Sequence, residues 1–202
     1  MKWLRLSAQC LDEIEARYAL VGGLAVGVRV EPRFTRDVDL AIDVKTDADA
    51  EAVAAHLIHS GFRLLAEMDH TVSNRIATLR MLPPGVDPPV GDEDPSLLVD
   101  LRFSTSGIEA EVVAGAERRM VQVGLVVPVA RAEHLIAMKT VSVCDARRQD
   151  EVDLHHLLER ASPRQVDAAR RLIDLVIARG LHRQRDLHAT LNHFLARAKR
   201  DR

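Results

Sequence analysis

Apolar positions recur at helical spacing over residues 3–17, with Leu4, Leu11 and Ile14 on one side, and then close up into the short run from Tyr18 to Val21. Spacing of three to four marks the buried face of a helix, whereas a compact apolar run beside turn formers marks a strand. Gly22-Gly23 makes a turn after that run, LAVGVRV reads as a short helix, and DVDLAIDV as the next strand. Thr46 or Asp47 can cap the helix DADAEAVAAHLIHSG, which buries Val53, Ala54, Leu57 and Ile58 and stops at Gly61. FRLLAEM and RIATLRM read as strands, either a hairpin or two neighbours in one sheet.

The pattern then breaks. Residues 83–96, PPGVDPPVGDEDPS, hold five of the eight prolines and three clustered acids, which makes a surface loop. LLVDLRFS restores strand alternation, with Leu97, Val99, Leu101 and Phe103 on one face and Leu98, Asp100 and Arg102 on the other. Residues 107–115 look helical, and MVQVGLVVPV supplies one or two short strands. From Ala132 onward the period is helical throughout, over about 132–143, 149–161, 164–179 and 184–199. Mixed strands and helices followed by helices alone give an α+β class, divided into 1–130 and a C-terminal helical region, 131–202.

Composition narrows the possibilities. Hydrophobic residues make up 47% of the 202-residue chain but aromatics only 3%, so the core is aliphatic and stacking platforms for single-stranded nucleic acid are scarce. Cys10 and Cys144 have no metal or redox spacing. The amphipathic start lacks the apolar stretch of a signal peptide, and no apolar run reaches membrane-span length. A soluble, cytoplasmic protein without membrane contact is therefore expected. The net charge of −2 divides unevenly, about −7 over residues 1–146 and about +5 over 147–202, which suits a polyanionic partner for the C-terminal region.

The candidate chemistry lies in the second strand. Alternate residues of a strand share a face, so Asp37, Asp39 and Asp43 would line one side with Ala41 while Val38, Leu40, Ile42 and Val44 fill the other. Like charges so crowded are unfavourable unless a cation or solvent relieves them. Asp100 lies on a later strand; if the two strands are neighbours, Asp37, Asp39 and Asp100 converge on one point at a sheet edge. Oxygen ligands without nearby His or Cys suit Mg²⁺, which bridges phosphate oxygens and lowers the pKa of an attacking hydroxyl. Upstream, Gly22 and Gly23 would let backbone N–H groups approach a phosphate closely. A D-x-D pair alone also fits the solvated face of an edge strand; the joint pattern is more specific.

Lys139 sits on a helix whose other face, Leu135, Ile136 and Met138, is apolar. It suits a point charge for a triphosphate, the alternative being an ordinary solvated lysine. Asp150 and Asp153, three apart on one helix, share a side and can orient Lys139 or Arg147/Arg148, or Asp150 is simply a first-turn acid. His155-His156, adjacent on a helix, point different ways and do not make a metal pair, while His56/His59 and His188/His193, with no carboxylate or cysteine partner at ligand spacing, read as surface or edge residues.

"VGGLAVGVRVEPRFTRDVDLAI" resembles the signature of the DNA polymerase β-type nucleotidyltransferase superfamily: Gly-Gly, a short spacer, then Asp-apolar-Asp-apolar. Thr35-Arg36 before the acids, with "HLIAMKTVSVCDARRQDEVDLHHLL" downstream, is similar to the AbiEii-like toxins of type IV toxin–antitoxin systems. The resemblance covers about residues 18–160 and implies a nucleotidyltransferase fold, a small mixed sheet with flanking helices. It implies catalytic and metal roles for Asp37, Asp39 and Asp100, most simply with two Mg²⁺ ions, and nucleotide binding by Gly22, Gly23, Lys139, Asp150 and Asp153. The implied reaction moves an NMP from an NTP to a hydroxyl, with RNA such as the tRNA 3′ end as acceptor and an antitoxin protein as partner. A small-molecule enzyme of antibiotic-resistance type, a protein-modifying enzyme, and a silent binding protein of the same fold remain the alternatives.

Overall fold

The short apolar runs of the first 130 residues assemble side by side into one mixed sheet. A computed structural model describes residues 1–31, 35–69, 75–88, 97–104, 107–143, 148–182 and 184–200. The elements begin α1 (Lys2–Glu13), β1 (Tyr18–Val21), α2 (Gly22–Arg29), β2 (Val38–Ile42), α3 (Asp47–His59), β3 (Arg63–Asp69) and β4 (Ile76–Leu82). They continue with β5 (Val99–Phe103), α4 (Glu109–Ala114), β6 (Glu117–Gln122) and β7 (Leu125–Val129), then α5 (Ala132–Ser142), α6 (Arg148–Arg160), α7 (Pro163–Ala178) and α8 (Leu187–Arg200). The class is α+β, with a sheet of seven strands in the order β3-β4-β5-β2-β1-β7-β6.

Register fixes the chemistry. β2 runs parallel to β5 with Asp39 opposite Asp100, and antiparallel to β1 with Asp39 opposite Val21, the residue before the glycine pair. β4 pairs antiparallel with β5 and sets Arg80 opposite Asp100. Both β2 and β5 are interior strands, so the acids meet within the sheet and not at an outer edge. Their buried residues Val38, Leu40, Ala41, Ile42, Val99, Leu101 and Phe103 belong to the main core, and α2 and α4 pack on β2. Burial of this aliphatic surface, at about 25 cal/mol per Å², is the main force that holds two charge-bearing strands in the middle of the sheet.

Thr46 caps α3 reciprocally with Asp49, and Ser162 caps α7 with Gln165 while Pro163 occupies the first turn. In α3, Ala50, Val53, Ala54 and Leu57 are buried, but Ile58 is 47% exposed, because the buried stripe is narrower than the apolar run. The C-terminal helices stack on one another, α5 against α6 and α7 and α6 against α8, while α2 touches both α5 and α6. That contact carries residues 131–160 over the glycine end of β1. Residues 89–96 of the proline-rich segment, Cys144 and Arg147 lie outside the described residues. Among the described residues no helix is long and apolar enough to cross a membrane.

Candidate active site

Gly22 and Gly23 do not form a free turn; they open α2 directly after β1. Gly22 has φ +62, and a Cβ on it would stand 2.0 Å from Oδ2 of Asp39. Only glycine meets both demands, a left-handed backbone and contact with a carboxylate. The pair therefore brings the start of α2 against the acid.

Asp37 and Asp39 face a cavity of about 640 Å³ together with Val21, Gly22, Arg102 and, from α5 and α6, Lys139, Arg148 and Asp150. The backbone N–H of Leu98 donates to Oδ1 of Asp37 at 3.0 Å. Partial burial of the Asp37 carboxyl raises its pKa, the Leu98 bond opposes this, and the charges of Asp39 and Asp100 add to the rise. Arg102 donates through Nη2 to Oδ1 of Asp39 at 3.3 Å. Burial works against the Arg102 charge, yet Asp39, Asp100 and Glu109 together raise its pKa. Asp43 is not part of this group. It follows the strand, and its carboxylate pairs at 2.8 Å with Arg17 at the opposite end of β2.

Asp100 is close by but engaged. Arg80 donates through Nε and Nη2 to its two oxygens, both at 2.9 Å, in a bidentate pair. Asp100 is buried and does not line the cavity. Such a pair takes two of the roughly four lone-pair positions of a carboxylate and leaves the others open. Among the described residues no cluster of three His, Cys, Asp or Glu side chains is close enough to hold a metal ion by itself. The fit to a hard cation thus rests on Asp37 and Asp39, two all-oxygen donors side by side on the cavity wall.

Across the cavity, Lys139 is no solvated surface residue. Its Nζ lies 2.5 Å from Oδ1 of Asp150 and 2.8 Å from Oδ2 of Asp153, with side-chain exposures of 12%, 14% and 0% for Lys139, Asp150 and Asp153. Gln149 donates to the other oxygen of Asp153 at 3.2 Å. The i, i+3 acids thus orient Lys139. An ammonium has three donors, and two are accounted for here, so one remains for a ligand. Gly23, the next residue of α2, is buried and does not line the cavity.

Sequence reasoning named the acids and missed their arginines. Arg102 was within reach, since period two puts it on the face of Asp100. Arg80 was not, because only the register of β4 against β5 brings it opposite.

A mixed sheet that offers Asp-x-Asp beside a helix opened by Gly-Gly, with a helical region closing over it, defines a nucleotidyltransferase. The family described as nucleotidyl transferase AbiEii toxin, type IV TA system, matches residues 6–202, and the chain belongs to it. No curated protein matches the chain in sequence. Similar solved structures include the lincosamide antibiotic adenylyltransferase LnuA bound to lincomycin, 13% identical, covering 77% of this chain and 94% of that one at a TM-score of 0.51. Another is ANT(2")-Ia in complex with adenylyl-2"-tobramycin, 16% identical over 97% of both chains at a TM-score of 0.47.

Proposed function

We propose that this nucleotidyltransferase moves an NMP from an NTP to a terminal hydroxyl of RNA, the 3′ end of tRNA being the leading acceptor, with Mg²⁺ as cofactor. The observation that carries the reading is that Gly22, Asp37, Asp39 and Lys139, separated by up to 117 residues of chain, line one cavity. Residues 1–130 supply the carboxylates, and the helical region 131–202 supplies the cation that faces them. The triphosphate lies between the start of α2, where Gly22 lines the cavity and the first-turn N–H groups have no helical partner, and Lys139, whose third donor takes a phosphate oxygen. Gly23 adds a backbone N–H to the same first turn of α2, and Asp150 and Asp153 act through Lys139.

Asp37 and Asp39 would hold Mg²⁺, with the open lone pairs of Asp100 available to a second ion or to the acceptor proton. Bound there, the ion neutralises phosphate charge and acidifies the attacking hydroxyl. In the reaction the acceptor oxygen bonds to the α-phosphorus, its proton passes to Asp100, and the bond to pyrophosphate breaks in line. Lys139 and Arg148 stand at the α5–α6 end of the cavity, and the net charge of about +5 over residues 147–202 supports RNA over a cationic small molecule. Membership of a toxin family supports a cognate antitoxin protein as a further partner.

The test is incubation of the protein with α-³²P-labelled NTPs, Mg²⁺ and either total RNA or total protein. Label in RNA that depends on Asp39 is the expected result. Label confined to protein would overturn the acceptor assignment, and no label anywhere would overturn the transfer itself.

A further inference from the structure

In-line displacement makes the two ends of the cavity unequal. The leaving pyrophosphate belongs with Lys139 and Arg148, which α5 and α6 bring to the cavity through their contacts with α2. The attacking hydroxyl must arrive from the opposite side. Sheet order says what stands there: beyond β2 come β5 and then β4, bearing Asp100 and Arg80. The Arg80 side chain is 37% exposed, whereas that of Asp100 is 10% exposed. The bidentate pair uses two of the five guanidinium N–H groups, so three remain. Asp37 and Asp39 add their fields to that of Asp100 in holding Arg80 charged.

We propose that Arg80 is an acceptor-binding residue: it grips a phosphate of the acceptor strand while its other edge fixes Asp100 beside the incoming hydroxyl. The assignment rests on the RNA reading given above and specifies what the acceptor must carry. A phosphodiester close to the reacting hydroxyl meets a planar donor fork suited to it. An aminoglycoside, whose ammonium groups only donate, has no partner on that donor edge. Arg80 thereby favours acceptors that carry a phosphate there, independently of the NTP, whose contacts with Lys139 and Arg148 lie in the cavity.

The experiment uses the full chain with total tRNA as probe, comparing wild type, Arg80→Gln and Arg80→Lys. In labelling assays Arg80→Gln should raise the KM for tRNA about tenfold, the scale of one lost charge-assisted contact, and leave the KM for NTP unchanged. The slope of log affinity for tRNA against log salt should fall by about one, and Arg80→Lys should restore the slope but only part of the KM. A merely structural role would move neither the slope nor the KM of one substrate alone. Because Arg80→Gln leaves Asp100 buried without its partner, Arg80→Gln/Asp100→Asn provides a neutral pair for the binding measurement, where the same loss of slope is expected. Labelled RNA with an unchanged tRNA KM in Arg80→Gln, together with an unchanged salt slope in that variant and in the double variant, would overturn the role of Arg80 alone. Label in protein and none in RNA would overturn both readings.

Discussion

Removing the ammonium of Lys139 should damage stability and nucleotide binding through separable causes. In Lys139→Met the methionine fills much of the same volume, but Asp150 and Asp153, which now meet one Nζ at 2.5 and 2.8 Å, are left facing each other. Asp153 has no exposure at all, so water cannot take over the lost interaction. Breaking a buried ion pair from one side costs about 3–5 kcal/mol, and the slight exposure of Lys139 and Asp150 places this case at the lower end, about 3 kcal/mol. For a chain of this size each kcal/mol shifts the melting temperature by about 2–4 °C, so a drop of about 6–12 °C is expected. Lys139→Met/Asp153→Asn, which removes the buried like charge, should recover at least half of that loss. It should not recover nucleotide affinity, because the phosphate-facing cation is still missing. Thermal melts followed by circular dichroism and titration calorimetry with a non-hydrolysable NTP measure the two effects. A single variant melting within about 2 °C of wild type, or a double variant that binds NTP normally, would refute the reasoning.

Asp39→Asn should abolish transfer with the fold retained, and should erase the rise in melting temperature that Mg²⁺ and nucleotide together give the wild type; survival of that rise would remove Asp39 from the metal site. Gly22→Ala should lose transfer and about 1 kcal/mol or more of stability, because an L residue is strained at φ +62 and its Cβ displaces the Asp39 carboxylate; wild-type turnover would contradict this. Burial pushes the Glu109 carboxyl up to about 6 from 4.5, so the native state holds its proton more tightly than the unfolded chain. The stability contributed by this group is therefore full below about pH 4.5 and is lost as pH rises through 6, about 2 kcal/mol in all. Glu109→Gln should flatten that part of the wild-type profile and melt higher at pH 7.5; an unchanged difference between the two proteins from pH 4 to 8 would rule it out.

Local pattern reached far in this chain, and its failures share one cause. Strands and helices were readable because their apolar faces keep a period of two or of three to four, as in LLVDLRFS and in residues 132–143. Period alone also put Asp43 with Asp37 and Asp39, since it carries no information on where a strand stops; β2 ends at Ile42, and Arg17 claims Asp43. The outward turn of Ile58 was equally hidden, because the width of a buried stripe depends on what packs against it. The pairing of Lys139 with both acids of α6 was one of the options the spacing allowed, and the packing of α5 on α6 chose it. Arg80 was hidden for the strongest reason: strand order is a property of the whole chain, and no stretch of sequence states it.

The arginines change how the acidic cluster should be understood. Considered by themselves, three carboxylates on adjacent strands would repel one another, and the cation would have to relieve the repulsion. In the folded chain, Asp100 already has Arg80 and Asp39 has Arg102, so three acids stand against two guanidiniums. Asp37 is held by a backbone amide and has its pKa raised by partial burial, which the other acids reinforce. A divalent ion alone then meets only a modest excess of negative charge, too little to repay the loss of its water ligands, which Mg²⁺ gives up reluctantly. An NTP brings the missing oxygens and negative charge, and the cavity offers that charge Lys139, Arg102 and Arg148. Metal and nucleotide should therefore load together, with the Arg102 bond to Asp39, the longer of the two arginine contacts at 3.3 Å, as the one that yields.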